Sequence, residues 1–214
     1  MVTTDPMYYI YTNFLERRGI RLLPVPEDAE GIRVDLLERK LGALGGDARQ
    51  VSYFYVVTVN NPTSTVLSNR RRRELVQTVS HFCSSVGGRV PLVLDRAYED
   101  LVHDPEMDPL ESGLLYDTDG IVYEVGTLSK VLAPALRVGY MIGEGGPFMS
   151  ALVQRTSDAG LSASLITQEI SSWLLDNRIR QQLENVRAGY RVKARALRGW
   201  VEEQFGGELQ DFPD

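Results

Sequence analysis

The sequence predicts an α/β fold, a three-layer sandwich in which helices cover both faces of a mostly parallel sheet. Short runs rich in β-branched and aromatic residues alternate with segments whose apolar residues recur at helical spacing. Residues 51–59 are largely apolar, as expected for a strand buried on both faces. This alternation is typical of parallel strands joined by crossover helices. The 214 residues, 43% of them hydrophobic, are enough to bury a substantial core.

Short runs of strand-forming residues give the order of the strands. They predict strands at residues 20–25, 51–59, 91–95, 121–125 and 137–142. Residues 1–4 are interpreted as the stump of a further strand. Several of these runs are followed directly by polar residues, and ligands of parallel α/β sheets bind beyond the carboxyl ends of the strands.

Helices are predicted between these strands. One covers residues 34–44, and the next follows Ser68, a suitable N-cap, and ends before Gly87. The arginines at residues 70–73 are interpreted as a solvated first turn of that helix and not as a binding patch. From Ser164 onward the pattern is helical, and its length predicts two helices joined near residues 176–177.

The composition limits the classes of partner. A net charge of −6 and an isoelectric point near 5.1 argue against a nucleic-acid partner, which normally requires a basic face. Cys83 is the only cysteine, so an intrachain disulfide and a cysteine-built metal site are excluded. We predict no metal site. No apolar run is long enough to span a bilayer, and we expect a cytoplasmic protein with no membrane partner.

Three predicted strands end in polar segments with unusual chemistry. The first segment is Asn60-Asn61-Pro62-Thr63, the second is Asp95-Arg96-Ala97-Tyr98, and the third is Gly126-Thr127-Leu128-Ser129-Lys130. Because parallel strands end at one edge of a sheet, we expect an amide, a carboxylate, a phenol, hydroxyls and an amine along a common rim.

These segments resemble the class I/II aminotransferases, which depend on pyridoxal 5'-phosphate (PLP). That family carries Asn-Pro-Thr-Gly, Asp-x-Ala-Tyr and Ser-x-Ser-Lys segments in this order, followed by Arg-x-Gly, matched here by Arg137-Val138-Gly139. The early Asp5-Pro6-Met7-Tyr8 turn also fits. The resemblance runs through nearly the whole chain and implies the large domain of a PLP-dependent transferase.

The resemblance assigns Asp95 and Lys130 to the two central roles. PLP forms an imine with a lysine, here Lys130, and its ring nitrogen stays protonated beside a carboxylate, here Asp95. Lys130 would also shuttle the substrate proton. The alternatives are that Asp95 caps a loop or pairs with Arg96, and that Lys130 is an ordinary exposed lysine. A buried carboxylate calls for some cationic partner in either case.

The resemblance also implies residues that bind the rest of the cofactor. Asn61 and Tyr98 would hydrogen-bond its phenolic oxygen, and Tyr8 would stack on its ring. For each tyrosine, a core aromatic is the plain alternative.

The phosphate group would be held by Thr127, Ser129 and Arg137, since hydroxyls and a guanidinium suit phosphate oxygens. The alternative for Thr127 is a turn hydroxyl. His81 and His103 match no family role.

The chain departs from the family in three places. Ser64 stands where the family usually has a glycine. The family's N-terminal arm, phosphate-gripping helix and first strand would precede a residue like Tyr8. The small domain, with the arginine that binds the substrate carboxylate, would follow a segment like Phe212-Pro213-Asp214. We therefore expect a fragment, with a partial PLP-binding domain at residues 1–170 and long helices at residues 171–214.

Three functions remain open at this point. The first is an aminotransferase that moves an amino group between an amino acid and a 2-oxo acid, as a homodimer by family resemblance. The second is another PLP enzyme of the same fold type, such as a decarboxylase, a lyase or a synthase. The third is a non-catalytic aminotransferase-like domain of a transcription regulator. Retention of Asn61, Asp95, Tyr98, Lys130 and Arg137 favours the first, although fold alone cannot choose the reaction.

Overall fold

The computed structural model describes residues 1–159 and 162–206. The strands are β1 (Val2–Asp5), β2 (Leu23–Asp28), β3 (Gly31–Ile32), β4 (Phe54–Val57), β5 (Leu92–Asp95), β6 (Val122–Thr127) and β7 (Gly139–Gly143). The α-helices are α1 (Tyr9–Glu16), α2 (Val34–Ala43), α3 (Asn69–Val86), α4 (Pro147–Asp158), α5 (Leu165–Asn177) and α6 (Ile179–Phe205).

The strands form one mixed sheet in the order β3-β2-β1-β4-β5-β6-β7. The five central strands are parallel, while β3 and β7 run antiparallel at the two edges. The segment interpreted as a stump is a strand, β1, between β2 and β4, and Val2 is 1% exposed there. The α/β prediction with a mostly parallel sheet is confirmed.

Strand β2 is shifted from its prediction, because it starts at Leu23 and continues through two prolines to Asp28. The Leu23 N–H donates to the Met1 carbonyl on the β1 side. By alternation the nitrogens of Pro24 and Pro26 face the outer side. On that side β3 pairs only with the last two residues of β2. The two prolines, which lack an N–H group, therefore remove no hydrogen bond from the sheet.

The core lies mainly between the sheet and the α2–α3 layer. Fully buried members include Leu37, Phe54, Leu75 and Leu92. A smaller cluster around Met7 and Leu15 packs α1 against the sheet, together with tyrosines of α1 and the β4 segment.

Helix α3 has the caps expected from the sequence. The Ser68 hydroxyl accepts a bond from the Arg71 N–H at 3.1 Å, and Gly87 takes the left-handed conformation with φ 71°. The interpretation of residues 70–73 as a solvated turn is wrong for two of the arginines. Arg71 is 7% exposed and Arg72 is 0% exposed, because carboxylates and carbonyls of other segments surround them.

The predicted pair of C-terminal helices is confirmed, with α5 ending at Asn177 and α6 starting at Ile179. Residues 207–214, and with them the segment Phe212-Pro213-Asp214, lie outside the described residues. Among the described helices, none is long and apolar enough to cross a membrane.

Candidate active site

The carboxyl ends of β4, β5 and β6 bring the three polar segments to one rim. Val57 of β4 lies opposite Asp95 of β5, and Asp95 lies opposite Val125 of β6. The segments beginning at Asn60, Asp95 and Gly126 therefore leave the sheet side by side. The expected juxtaposition of the three segments is present.

Tyr98 joins two of the candidate residues. The Asn61 Nδ2 atom lies 3.5 Å from the Tyr98 hydroxyl, at the long limit of a hydrogen bond. The Lys130 ammonium nitrogen lies 5.1 Å from the centre of the Tyr98 ring, within the range of a cation–π contact. Lys130 is exposed, so its amine is accessible.

The Asp95 carboxylate is held by two neutral donors. Its Oδ1 accepts the Ala97 N–H at 2.9 Å, and its Oδ2 accepts the Tyr55 hydroxyl. Burial, and next the Asp95 charge, raise the pKa of Tyr55, so the phenol remains a protonated donor at neutral pH. No Lys, Arg or His side chain of the described residues forms an ion pair with Asp95.

The alternative in which Asp95 pairs with Arg96 is wrong, because Arg96 is bound elsewhere. The Arg96 guanidinium lies 2.7 Å from Glu99 and 2.6 Å from Glu124. Glu99 also binds Arg72 at 3.0 Å, which gives a chain of four charges. Glu124 is 1% exposed and accepts the Gly113 N–H at 2.7 Å. We call these four residues, Arg72, Glu99, Arg96 and Glu124, the buried charge chain.

Thr127 and Ser129 are close together in the turn after β6. The Thr127 hydroxyl accepts the Ser129 N–H at 3.1 Å and donates to the Val138 carbonyl at 3.3 Å. Arg137 is nearby in the chain, two residues before the Gly139 that pairs with Thr127. Its exposed guanidinium donates to the Pro134 carbonyl at 3.2 Å and makes no described hydrogen bond to Thr127 or Ser129.

Tyr8 precedes the first residue of α1 and is 38% exposed. Its ring contacts Tyr9, at 5.8 Å between centroids, and not one of the other candidate residues. The segment just before Tyr8 is bound to the rim, because the Asn60 side chain donates a hydrogen bond to the Pro6 carbonyl at 2.9 Å. The position of Tyr8 over a ring-shaped ligand therefore stays a prediction.

Ser64 has a positive φ of 62°, at the position where the family has glycine. This left-handed conformation is one that glycine adopts readily and serine does not. The Ser64 N–H donates to the Asn60 carbonyl at 2.9 Å, which closes the turn below Asn61. The departure noted in the sequence therefore leaves the turn formed but strained.

Helix α6 is bound to the loops on both sides of the rim. Arg187 donates to the Asp100 carbonyl at 2.8 Å, and Arg191 donates to the His103 carbonyl at 2.7 Å. On the other side, Gln182 donates to the Val131 carbonyl at 3.1 Å. The first loop follows Tyr98 and the second follows Lys130.

A mostly parallel sheet with a carboxylate, an amide, a phenol and an amine at its carboxyl ends defines an α/β domain of the PLP-dependent transferase type. The family model for aminotransferases of class I and II matches residues 1–209. The chain belongs to this family, and the cofactor of the family is pyridoxal phosphate.

Relatives and solved structures agree on the fold. A 2-aminoadipate transaminase of Thermus thermophilus is 30% identical over 208 residues, which is 96% of this chain and 49% of the relative. The crystal structure of Pyrococcus horikoshii kynurenine aminotransferase, in complex with PMP, superposes with a TM-score of 0.83 at 25% identity, covering 94% of this chain and 48% of that one.

One further relative belongs to another class. An uncharacterized HTH-type transcriptional regulator of Bacillus subtilis is 26% identical over 174 residues, which is 81% of this chain and 32% of the relative. The chain thus spans between about a third and a half of the length of the curated relatives named here.

Proposed function

We propose that this chain forms the cofactor-binding part of an aminotransferase that moves an amino group between an amino acid and a 2-oxo acid. The observation that carries the proposal is the Asp95 carboxylate. It is half-buried at the carboxyl end of a parallel strand, held by neutral donors, and left without an ion pair in the described part of the chain. Such a carboxylate suits a protonated ring nitrogen, which supplies the missing positive charge.

The other donors fit the remaining parts of PLP. Asn61 and Tyr98 offer an amide and a phenol where a phenolic oxygen needs hydrogen-bond donors. Lys130 is the amine beside them and would hold the cofactor covalently. When bound, PLP supplies an electron sink for the electrons of a substrate bond at the α-carbon.

Lys130 has a second role in this proposal. A lysine freed from the cofactor can accept and return a proton if part of its population is uncharged. The Lys130 amine lies 5.1 Å from the centre of the Tyr98 ring, beside the proposed cofactor site. Lys130 is exposed, so its amine is accessible to a substrate.

The hydroxyls of Thr127 and Ser129 and the guanidinium of Arg137 are proposed to bind the phosphate. Arg137 would have to turn from the Pro134 carbonyl towards the hydroxyls to do so. Tyr8 is proposed to stack on the cofactor ring. The homodimer of the family is likewise a proposal for the whole protein, and so is a cytoplasmic location.

A regulator domain is the second candidate function, because an HTH-type regulator matches 81% of the chain. The transaminase relative is more similar, at 30% identity over 96% of the chain. Other PLP reactions have no specific observation in their favour here. We therefore prefer the aminotransferase.

The test is reduction of a mixture of the chain and PLP with borohydride, followed by peptide mass mapping. We expect the phosphopyridoxyl group on Lys130 and not on Lys40 or Lys193, the other two lysines of the sequence. In Lys130→Ala the visible absorption of bound PLP should disappear. Label on Lys40 or Lys193, or an unchanged absorption band in Lys130→Ala, would contradict the proposal.

A further inference from the structure

We propose that Tyr55 is a positioning residue, whose phenol fixes the Asp95 carboxylate in the orientation that meets the ring nitrogen of PLP. This inference rests on the proposed function of Asp95. Tyr55 matches none of the motifs by which the family was recognised, and its role follows from the contacts of β4 and β5.

The strand register places the phenol beneath the carboxylate. Val57 of β4 lies opposite Asp95, and Tyr55 is two residues earlier on the same strand. Side chains two residues apart share a face of the sheet, so Tyr55 and Asp95 share one as well. The long tyrosine side chain reaches along that face, and its hydroxyl donates to Asp95 Oδ2.

The two oxygens of Asp95 are held separately. Oδ1 accepts the Ala97 N–H at 2.9 Å and Oδ2 accepts the Tyr55 hydroxyl, so rotation of the carboxylate breaks at least one of these bonds. Each carboxylate oxygen can accept about two hydrogen bonds. The carboxylate is therefore oriented but still has acceptor capacity for a ligand.

Both donors are neutral, so neither brings a positive charge to Asp95. A guanidinium bound to Asp95 would compete with a protonated ring nitrogen for the same negative charge. The nearest arginine in the sequence, Arg96, is bound to Glu99 at 2.7 Å and to Glu124 at 2.6 Å. The buried charge chain thus holds the Arg96 guanidinium away from Asp95, and the phenol of Tyr55 orients the Asp95 carboxylate.

Tyr55 is itself held in place from the α1 side. The ring of Tyr11 packs on the ring of Tyr55, with centroids 4.7 Å apart and the planes inclined at 51°. The Tyr11 hydroxyl lies 3.2 Å from the Tyr53 hydroxyl, whereas the contact with Tyr55 is made by the Tyr11 ring. Tyr53 is half-buried like Tyr55 but has no described hydrogen bond to Asp95, so it provides a matched control.

The first measurement is amide hydrogen exchange in the cofactor-free chain. In Tyr55→Phe the carboxylate loses one anchor, and exchange at the Ala97 amide should rise about five- to tenfold, as expected for one weakened hydrogen bond. The Thr58 amide donates to the Asp95 backbone carbonyl at 2.9 Å and should be unchanged. Tyr53→Phe should leave the Ala97 amide as in the wild type.

The second measurement is the dissociation constant of PLP, titrated by its visible absorption. We expect about tenfold weaker binding in Tyr55→Phe and little change in Tyr53→Phe. Equal exchange rates at the Ala97 amide in Tyr55→Phe and Tyr53→Phe would overturn the inference. The inference would also be overturned if Tyr55→Phe lowered exchange protection equally across the whole sheet.

Asp95→Asn separates this inference from the proposed function. If Asp95→Asn weakens PLP binding and Tyr55→Phe does not, the positioning role is wrong and the function stands. If Asp95→Asn has no effect on PLP binding, the proposed function of Asp95 fails. In that case, faster exchange of the Ala97 amide in Tyr55→Phe would show only that Tyr55 holds the Asp95 carboxylate. The proposed link between Tyr55 and PLP binding would be rejected.

Discussion

The guanidinium of Arg72 lies 3.0 Å from the carboxylate of Glu99, and both side chains are almost fully buried, at 0% and 5% exposure. Arg72 belongs to α3, whereas Glu99 directly follows Tyr98 in the loop after β5. The pair therefore connects the helix layer to the segment that carries Asp95 and Tyr98. Arg72 relies on Glu99 for compensation of its buried charge, whereas Glu99 also binds Arg96.

Glu99→Gln should destabilise the chain by about 3–5 kcal/mol, because removing one partner leaves a buried guanidinium without full compensation. Glu144→Gln is the control, since Glu144 contacts the exposed Arg89 and a surface pair contributes only about 0–1 kcal/mol. Denaturant unfolding followed by circular dichroism measures both. Similar midpoints for the two variants would show that the buried charge chain contributes little.

Ser64→Gly should stabilise the chain by up to about 1 kcal/mol, because glycine adopts the positive φ of this turn without the steric cost that serine bears. The matched control is Ser84→Gly on the exposed face of α3, which should destabilise by about 0.5 kcal/mol. Thermal unfolding of the two variants should shift in opposite directions. A shift in the same direction would mean that Ser64 is not strained.

The ion pair of Arg33 and Asp35 gives a pH-dependent prediction. Hydrogen bonds from Arg33 lower the pKa of Asp35 from the ordinary 3.8 to about 2. Since the folded pKa lies below the unfolded one, the stabilisation is complete above 3.8 and is lost as the pH falls through about 2. Asp35→Asn should lower the melting temperature at neutral pH, and the difference should vanish in acid. A difference that does not change with pH would contradict this.

Strand β7 has an edge that no strand of the described residues covers, and Tyr140 and Ile142 on it are 44% and 48% exposed. An uncovered edge strand can pair with a strand of another chain, and a lysine substituted on the edge opposes this pairing. Ile142→Lys should reduce self-association in sedimentation experiments without lowering stability by more than about 1 kcal/mol. Val153→Lys on the exposed side of α4 is the control. Equal association of both variants would exclude β7 as the contact.

The sequence predicted the longer strands and the caps of α3 better than it predicted the short elements. Three strand ends and the caps of α3 were recognisable because local chemistry determines them, through a polar residue after an apolar run or a serine before a helix. Helix α1 was not recognised, since its aromatic residues are spread around the helix and Leu15 alone is buried. Helix α4 was not recognised either, and none of its described residues is buried. Strand β3 has two residues, too few for any periodicity.

Long-range partners explain what sequence patterns missed in the site. Arg72 is bound by Glu99, which lies 27 residues further along the chain. Because the sequence around Arg72 contains no sign of this partner, the run of arginines was predicted to be a solvated turn. The Tyr55 contact spans 40 residues and depends on the register of β4 with β5. The one local signal for Tyr55 was a tyrosine in an otherwise apolar strand, on the face shared with Val57.

Helix α6 has a mechanical consequence through its bonds to the Asp100, His103 and Val131 carbonyls. Because one rigid helix grips the loop after Tyr98 and also the loop after Lys130, the two loops cannot drift apart while the helix stays docked. Motions that separate the two loops therefore have to break hydrogen bonds to α6 as well. The distance between the Tyr98 phenol and the Lys130 amine is therefore less affected by the fluctuations of the two loops.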